Sequence, residues 1–339
     1  MTQPFVYYEQ RSPRELVLLP DPQGIGAYST PAPDQILCRT EVSALSPGTE
    51  LSAYRGDPPL RPQGQVYPRL MGYCNVATIL ARGADVPAHL QVGDRVLTHQ
   101  SHRSGFMVAH GGVLAKLPEG MSAEQASVTY LFHLGYAAFL KSGALQGDRA
   151  AILGLGTLGL TTAALFANAG IAMTGFTNQT PEAQVTRAFG LRDVVPKEAG
   201  TYADSFDHVV VSTNSWKDWH LALELCRADA TITVLSFPGR GQGMPEFNPL
   251  DSRYFYDKQL RIQSCGYMPS AAGSSRRDQP RAITHNCAFL LDAINRGHLP
   301  ASALIESTVP YDALDAIYAG MLAGNRSAQT YVLDWSSAT

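Results

Sequence analysis

The sequence predicts an α/β protein in which a doubly wound parallel sheet is joined to an antiparallel, barrel-like module. Three features carry this prediction: short strand-like runs near the N-terminus, a strand followed by a glycine-rich turn and a helix, and an alternation of strands and helices after that turn. At 339 residues, of which 45% are hydrophobic, the chain is long enough for two packed domains.

The N-terminal part contains short apolar runs that are separated by turn residues. Runs of this kind, bounded by Pro and Gly, indicate an antiparallel, barrel-like module. A loop rich in Pro and Gly, at 56–68, lies between the second and third runs and is typical of a site lid or a surface excursion. The predicted strands span 16–19, 36–42, 75–80 and 94–97.

The pattern changes to helix at the capping signature Ser122-Ala123-Glu124-Gln125. A strand at 150–153, a glycine turn at 154–159 and a helix at 160–169 follow. Because strands then alternate with helices, we expect a parallel sheet that is covered on both faces. The further strands are predicted at 171–176, 208–211, 231–235, 260–263 and 330–334, with a helix that opens at Pro310.

Charge and cysteine content exclude several classes of protein. The formal net charge is -3 and the charges are scattered, so nucleic acid is not expected as a partner. No apolar run reaches about 18 residues and the N-terminus does not resemble a signal peptide, which predicts a cytoplasmic protein without a membrane partner. Five widely spread cysteines without a Cys-x-x-Cys pair suggest neither a disulfide framework nor a structural metal cluster.

The glycine turn is the first candidate binding site. Residues 154–159 read Gly-Leu-Gly-Thr-Leu-Gly and lie between a strand and a helix, which is the setting of a dinucleotide-binding turn. The helix that starts there directs backbone N–H groups and its positive dipole end at a diphosphate. We predict cofactor contacts from Gly154, Gly156, Thr157, Leu158 and Gly159, the alternative being a tight turn without a ligand.

Residues after the later strands bear on the choice of cofactor. The second strand of the alternating region ends in Thr177-Asn178, where a carboxylate would bind the ribose of NAD(H). Its absence favours NADP(H) over NAD(H). Arg187 follows, either as a phosphate contact or as a solvated helix residue. Polar and aromatic residues at other strand ends are expected along the nicotinamide half, namely Thr213, Ser236 and Phe237.

Four segments together resemble the medium-chain dehydrogenase/reductase superfamily, over nearly the whole chain. They are Val-Ser-Ala-Leu-Ser-Pro-Gly-Thr-Glu at 42–50, Tyr-Pro-Arg-Leu-Met-Gly-Tyr at 67–73, Gly-Asp-Arg-Val at 93–96 and the glycine turn. The segment 46–50 with Gly72-Tyr73 resembles the branch that contains bacteriochlorophyllide hydroxyethyl dehydrogenase.

The resemblance implies a domain organisation and partners. It implies a GroES-like β-barrel catalytic domain at 1–122 and 300–339, and a Rossmann dinucleotide-binding domain at 123–299. It also implies a homodimer, formed through the edge strand near 260–263, and a small-molecule substrate. Arg326 stands where relatives return a basic residue toward the cofactor phosphates, although a surface arginine is the competing interpretation.

The resemblance also implies that no zinc ion is bound. The positions at which zinc-containing relatives carry their ligands fall on Ser46, Tyr73 and Thr129. Catalytic zinc requires thiolate, imidazole or carboxylate ligands, and none of these side chains is of that kind. The four-cysteine structural lobe is missing as well, because no cysteine occurs in 99–113. We therefore predict no metal site.

Without a metal, side chains must stabilise or protonate the substrate oxygen. Tyr73 can donate a hydrogen bond to a carbonyl or enolate oxygen, or it can pack its ring in the barrel. His99 and His102 lie three residues apart after a predicted strand and form either a proton relay or a polar surface turn. Glu50 either shapes the site near the nicotinamide or braces a loop.

These features predict a zinc-independent NADP(H)- or NAD(H)-dependent oxidoreductase. Two substrate classes fit: an alcohol/ketone pair, which the narrower resemblance favours, and a conjugated C=C bond, whose reduction needs no Lewis acid because the charge spreads through the acceptor. A function of a different class is a non-catalytic nucleotide-binding sensor or adaptor, since all three metal positions have changed.

Overall fold

The computed structural model of the chain describes residues 4–58, 66–179, 183–265, 283–325, 327 and 329–338. These residues fall into two compact units. Unit 1 comprises the described residues within 4–130, 283–297 and 305–338, and unit 2 comprises those within 131–265 and 298–304.

The described residues form strands and helices with the following bounds, in chain order. The strands are β1 (Val6–Ser12), β2 (Glu15–Pro20), β3 (Gln35–Ala44), β4 (Arg69–Leu70), β5 (Asn75–Arg82), β6 (Arg95–Thr98), β7 (Gly105–Ala109), β8 (Val113–Lys116), β9 (Ala150–Leu153), β10 (Met173–Phe176), β11 (Leu191–Val195), β12 (Phe206–Val211), β13 (Cys226–Val234), β14 (Arg261–Ser264), β15 (Ile305–Pro310) and β16 (Thr330–Asp334). The α-helices are α1 (Pro47–Arg55), α2 (Ala123–Ser127), α3 (Thr129–Ser142), α4 (Thr157–Asn168), α5 (Ala183–Ala188), α6 (Trp216–Leu225), α7 (Ile283–Asn295), α8 (Ala301–Leu304) and α9 (Leu314–Leu322).

Unit 2 is built on a parallel sheet with the strand order β11-β10-β9-β12-β13-β14. When these six strands are numbered by their position along the chain, the order is 3-2-1-4-5-6, that of a doubly wound nucleotide-binding sheet. The direction of this order reverses between β9 and β12. All side chains of β9 and β10 are buried, as expected for parallel strands covered on both faces. Phe176, Val209 and Ile232 form part of the core, on which Trp219 and Leu223 of α6 pack.

Most predicted boundaries in unit 2 shift by a few residues. The helix that we predicted from 160 begins at Thr157, because the last residues of the glycine turn already belong to its first turn. The strand predicted from 171 begins at Met173, since the backbone N–H of Ile171 bonds to the carbonyl of Phe166 in the preceding helix. Such limits depend on hydrogen bonds that the hydrophobic pattern does not encode.

Unit 1 contains two sheets. A larger one has the order β15-β16-β3-β5-β6-β8, with β7 also paired to β3, and a smaller one has the order β2-β1-β4. All pairs are antiparallel except β15 with β16. Because β16 pairs with β3, the C-terminal residues complete a sheet that starts near the N-terminus. The two units together confirm the predicted fold class, a Rossmann sheet with the sheets of a GroES-like catalytic domain.

Unit 1 has separate apolar cores, and it includes α7, a helix that the predicted domain boundaries assigned to the dinucleotide-binding domain. Ile36, Val96 and Phe106 belong to one core, whereas Tyr318 and Trp335 from the C-terminal part belong to the other. α7 packs against β8 and therefore groups with unit 1, although the predicted domain at 123–299 includes its residues. None of the helices in the described ranges combines the length and the apolar character of a membrane span.

Candidate functional site

The glycine turn of unit 2 follows β9 at the point where the strand order reverses. Gly154 has φ +94°, and a Cβ atom there would lie 2.3 Å from Cγ2 of Thr213. A Cβ on Gly159 would lie 2.0 Å from the carbonyl oxygen of Gly154, so this position holds helix and turn in close contact. A Cβ on Gly156, by contrast, would meet no atom within 4 Å. The turn is thus closed at its two ends and open at its centre.

The open centre of the turn coincides with the N-terminus of α4. Gly156 is the N-cap residue and contributes no side-chain hydrogen bond. The first turn of a helix carries backbone N–H groups that the helix itself does not use, and it is the positive end of the dipole. An exposed glycine before such a helix leaves room for a diphosphate against the backbone, so Gly154, Gly156, Thr157, Leu158 and Gly159 fit a dinucleotide.

Two predicted cofactor contacts follow β10. The Thr177 hydroxyl accepts a hydrogen bond from the Gln179 backbone N–H at 3.1 Å, which forms a turn at the strand end. Asn178 Oδ1 accepts from the Lys197 backbone N–H at 3.2 Å. Lys197 Nζ lies 2.6 Å from Asp218 Oδ2, so its charge is paired with a buried carboxylate. No carboxylate stands in the segment 177–179 that follows the strand.

The other predicted cofactor contacts lie after β12 and β13. The hydroxyl of Thr213 donates to Asp218, and the Ser236 hydroxyl donates to the backbone carbonyls of Val211, at 3.2 Å, and Thr213. The Phe237 side chain is 44% exposed, and its backbone N–H bonds to the Asn214 side chain. These residues lie at the carboxyl ends of their strands, where ligands bind in open parallel sheets. Arg326 lies outside the described residues.

In unit 1, two hydroxyl groups meet at positions that we compared with zinc ligands. Tyr73 follows Gly72 shortly after β4, and its hydroxyl donates a hydrogen bond to the Ser46 hydroxyl at the start of α1. Tyr73 is half-buried, whereas Ser46 is 2% exposed. Burial raises the pKa of Tyr73 well above its ordinary value, and Cys74 and Glu50 act in the same direction. Tyr73 is therefore a neutral phenol at ordinary pH, and we call it with Ser46 the hydroxyl pair.

Glu50 lies in the first turn of α1 and is 2% exposed. Its Oε1 accepts a hydrogen bond from the Ser46 backbone N–H at 2.8 Å, an arrangement similar to a capping box. Its Oε2 accepts from the Tyr318 hydroxyl at 2.6 Å and lies 3.1 Å from His102 Nε2. Three donors thus surround this buried carboxylate, and one of them fixes the backbone of the hydroxyl pair.

His102 is fully buried, and both of its ring nitrogens have partners. Nδ1 lies 2.8 Å from the Ser43 hydroxyl, which accepts from Trp335 Nε1 at 2.9 Å. Since an ionised Glu50 only accepts, the bonds are all matched when His102 is neutral, donates from Nε2 and accepts at Nδ1 from Ser43. We call Glu50, His102, Ser43, Tyr318 and Trp335 the buried network.

Gly72 is required where the chain passes over the imidazole of His102. It has φ +83°, a left-handed conformation, and a Cβ at this position would lie 2.5 Å from His102 Nε2. The backbone N–H of His102 bonds to the Met71 carbonyl at 2.7 Å, so the two segments are joined at this point. Tyr73 therefore immediately follows, in the chain, the glycine that packs against the buried network.

His99 is placed differently from His102. Its side chain is exposed, and its ring contacts Tyr130 edge-on, with centroids 4.3 Å apart. The same Tyr130 ring contacts Tyr73 at 5.5 Å, so both predicted residues flank one aromatic side chain. Thr129, the third position compared with zinc ligands, is fully buried, and its hydroxyl has no hydrogen-bond partner. Throughout the described ranges, no three or more His, Cys, Asp or Glu side chains could together hold a metal ion.

Sequence reasoning missed several residues of the two sites. Tyr318 bonds to Glu50 and Trp335 bonds to Ser43, across more than 260 positions in each case. No local sequence pattern predicts such contacts. Asp218, which accepts from both Thr213 and Lys197, stands in the first turn of a helix and resembles an ordinary capping residue. Its position after a strand of the alternating region is the one signal that could have indicated it.

Comparisons with known proteins give short sequence matches. No protein-family model matches the chain. The enoyl reductase component lovC of lovastatin nonaketide synthase from Aspergillus terreus is 34% identical over 104 residues, which cover 28% of this chain and 26% of that protein. The dehydrogenase mokE from Monascus pilosus is 33% identical over 105 residues, covering 28% and 27%. The match thus spans about a quarter of the length of these curated relatives.

Similarity to solved structures extends over nearly the whole chain. Acetophenone reductase from Geotrichum candidum, in complex with NAD, aligns with a TM-score of 0.79 over 99% of both chains at 17% identity. Galactitol-1-phosphate dehydrogenase from Escherichia coli aligns with a TM-score of 0.78 over 97% of this chain and 99% of its own, at 14% identity. The chain has the medium-chain dehydrogenase/reductase fold. Within the medium-chain fold, unit 2 carries the glycine turn and unit 1 carries the hydroxyl pair.

Proposed function

We propose that this chain is an NAD(P)(H)-dependent oxidoreductase of the medium-chain dehydrogenase/reductase type that works without catalytic zinc. The observation that carries the proposal is the glycine turn, which is closed at Gly154 and Gly159 and open at Gly156, before a helix without a side-chain cap. A turn of this shape at the reversal point of a parallel sheet fits a dinucleotide diphosphate.

The proposed cofactor is NADP(H) in preference to NAD(H). When bound, its nicotinamide would supply or accept the hydride. The backbone of 156–159 would hold the diphosphate, and Thr177 and Asn178 would face the ribose. The preference is supported by the lack of a carboxylate in 177–179, because a carboxylate would repel a 2′-phosphate. Thr213, Ser236 and Phe237 remain the proposed contacts of the nicotinamide half, with Arg326 proposed at the phosphates.

The hydroxyl pair is the proposed group that handles the substrate oxygen. Two hydroxyls that share one hydrogen bond leave one proton free to donate elsewhere, whichever hydroxyl donates within the pair. Tyr73 is the more accessible of the two, so it donates outward when Ser46 donates to it. A neutral phenol then stabilises charge on a carbonyl or enolate oxygen and delivers the proton. His99 is the proposed second polar group, on the other side of Tyr130.

Glu50 and His102 are proposed as positioning residues that act through Ser46. Both side chains are at most 2% exposed, and each is hydrogen-bonded to neighbours inside unit 1. Glu50 fixes the Ser46 backbone N–H, and His102 fixes Glu50. They therefore hold one member of the hydroxyl pair, in keeping with the general need for rigid support behind a reacting group.

The substrate class has two candidates. The resemblance of 46–50 and Gly72-Tyr73 to the bacteriochlorophyllide hydroxyethyl dehydrogenase branch favours an alcohol/ketone pair. The short match to lovC, which is named an enoyl reductase component, supports a conjugated C=C bond. The second relative, mokE, is named only a dehydrogenase and favours neither class. We favour the alcohol/ketone pair, because the hydroxyl pair offers a proton donor to an oxygen atom.

A substrate panel tests the proposed activity. The purified protein is mixed with NADPH or NADH and with aliphatic ketones, aryl ketones, enals and enones, and oxidation of the nicotinamide is followed by absorbance. We expect faster turnover of ketones than of conjugated alkenes, and faster turnover with NADPH than with NADH. Turnover of alkenes alone would assign the enoyl reductase alternative, and turnover of neither class would refute an oxidoreductase acting on them.

A non-catalytic nucleotide-binding sensor or adaptor is the candidate function of another class. It is favoured by one observation, that the positions compared with zinc ligands are occupied by Ser46, Tyr73 and Thr129. It predicts binding of NADP(H) in a calorimetric titration without turnover across the panel. Turnover that depends on Tyr73 excludes it.

We also propose a homodimer through β14. This strand is the outer strand of the unit 2 sheet, pairs with β13 on one side and exposes 37% of Ile262. An exposed strand edge is a common surface for pairing with a second copy. Sedimentation is expected to give a dimer, and Ile262→Lys to shift it toward the monomer, while the control Leu145→Lys, at a 71% exposed residue, does not. A monomeric wild-type protein would refute the dimer.

A further inference from the structure

Unit 1 contains a pocket that is separate from the hydroxyl pair. Its volume is about 360 Å³, and it lies against β1, β4, the turn after β2 and residue 103. Its polar lining residues are Tyr7, Glu9, Asp21, Gln23, Arg69 and Arg103. We propose that this β1–β4 pocket binds a compact anionic group, a carboxylate or a phosphate of a small molecule, through its two arginines.

Arg69 is the residue that points to a ligand. Its Nε and Nη1 atoms are buried without a hydrogen-bond partner among the described residues, and its side chain lines the pocket. Burial lowers the pKa of Arg69, which reflects the cost of removing this cation from water. Two buried donors without an acceptor are unfavourable by themselves, and an anion in the pocket would offer them charge-assisted hydrogen bonds.

Arg103 presents the second guanidinium. Its Nε donates to the Ser101 hydroxyl at 2.9 Å, and its Cζ lies 5.8 Å from the centroid of the Tyr7 ring. Burial lowers the pKa of Arg103, while the charge of Asp21 acts in the opposite direction. These contacts hold the side chain in place, and no carboxylate of the described residues pairs with it within 4.0 Å. Its terminal nitrogens are therefore pre-positioned donors.

Two carboxylates also line the pocket and limit the negative charge that a ligand can carry. Glu9 lies 3.4 Å from Arg11 Nε and accepts from the Tyr7 hydroxyl at 3.4 Å, and Asp21 Oδ1 accepts from the Gln23 backbone N–H at 2.9 Å. They balance the formal charge of the two arginines without forming ion pairs with them. A pocket of zero net charge with an unpaired guanidinium selects a single anionic group, because a polyanion would be repelled by Glu9 and Asp21.

The inference is independent of the proposed oxidoreductase activity, and its test is a binding measurement. The full chain is titrated calorimetrically with inorganic phosphate and with acetate at constant ionic strength. We expect saturable binding of at least one anion, weakened about tenfold or more in Arg69→Gln, as lost charge-assisted hydrogen bonds predict. Stronger phosphate binding assigns a phosphate-bearing ligand, and stronger acetate binding assigns a carboxylate.

Two further variants make the outcome decisive. Arg103→Gln should also weaken binding, and it serves as the second test if Arg69→Gln does not fold. The control Arg39→Gln removes an exposed arginine of β3 in the same unit and should leave affinity within about twofold. Phosphate held at the glycine turn instead would be insensitive to both pocket variants. The absence of saturable binding, or equal affinity in the wild type, Arg69→Gln and Arg103→Gln, would overturn the proposal.

Discussion

Glu50 Oε2 lies 3.1 Å from His102 Nε2, and both side chains are almost completely buried. A buried carboxylate is tolerated only where donors surround it, and here Ser46 and Tyr318 supply two more. The pair therefore holds the Ser46 backbone from inside unit 1. Its removal should be felt first as a loss of stability.

Glu50→Ala is expected to lower the free energy of unfolding by about 3–5 kcal/mol, because it leaves buried donors unpaired. Glu50→Gln should cost less, since its amide still accepts from Ser46 and can donate to a His102 whose tautomer has switched. Urea unfolding followed by circular dichroism measures both. The control Glu119→Ala, at an exposed residue, should stay within about 0.5 kcal/mol of wild type, and an equally small effect of Glu50→Ala would contradict the buried network.

Gly72→Ala should be more harmful than a glycine substitution that is strained only in its backbone. Gly93 has a similar φ of +89°, but a Cβ there meets nothing within 4 Å. Gly93→Ala should therefore lower the free energy of unfolding by about 1–2 kcal/mol, the cost of the left-handed conformation alone. Gly72→Ala adds the clash with His102 and should cost roughly 2 kcal/mol more. Thermal unfolding of both variants checks this difference, and equal costs would show that the imidazole does not press against this backbone.

Gly156→Val separates binding from folding in unit 2. The position has φ -80° and open space around its Cβ, so a side chain fits without a clash, and the loss of a favourable N-cap glycine should lower the free energy of unfolding by only about 1 kcal/mol. The same side chain would obstruct the approach of a diphosphate and should weaken NADPH affinity about tenfold or more. A fluorescence titration measures this affinity. Gly243→Val, at another glycine with open space in the same unit, serves as the control, and unchanged NADPH affinity in Gly156→Val would exclude the turn as the cofactor site.

Buried thiols predict how stability depends on alkaline pH. Burial raises the pKa of Cys38 and of Cys287 from 9.0 to about 12. The folded state then keeps protons that the unfolded state releases, so this stabilising contribution is complete below about pH 8 and is lost between about pH 9 and 12. The slope is about 1.4 kcal/mol per pH unit for each thiol. Urea unfolding in a reducing buffer should show a smaller alkaline slope in Cys38→Ala than in wild type, and identical slopes would argue against a protonated buried thiol.

The features that sequence predicted best are local ones. The glycine turn combines strand, turn and helix within about twenty residues, so its spacing is visible along the chain. Several strands of both units were also recognisable, because alternating or continuous burial leaves a hydrophobic pattern. The sequence did not indicate others, among them β1, β7, β8, β11 and β15. Their ends were less accurate, as β13 shows: it begins at Cys226, five residues before the predicted start.

The features that sequence could not predict depend on contacts between distant segments. Tyr73 and Ser46 were each noted, yet their hydrogen bond arises only when the end of β4 meets the start of α1. Tyr318 and Trp335 reach the buried network from the C-terminal part, and nothing near them in sequence indicates those partners. Burial of His102 is a tertiary property as well, since a histidine in a polar segment resembles a surface residue until packing is known.

Tyr73, rather than a metal ion, is proposed to handle the substrate oxygen, and a kinetic comparison of three proteins tests this role. Turnover of the best ketone from the panel is measured before and after chelator treatment, for wild type, Tyr73→Phe and the control Tyr28→Phe, whose side chain is 81% exposed. We expect the wild type and the control to keep their rates after chelation, and Tyr73→Phe to lose about a hundredfold or more in kcat. Loss of wild-type turnover on chelation with recovery on adding zinc, or an unchanged kcat in Tyr73→Phe, would contradict a metal-free role of Tyr73.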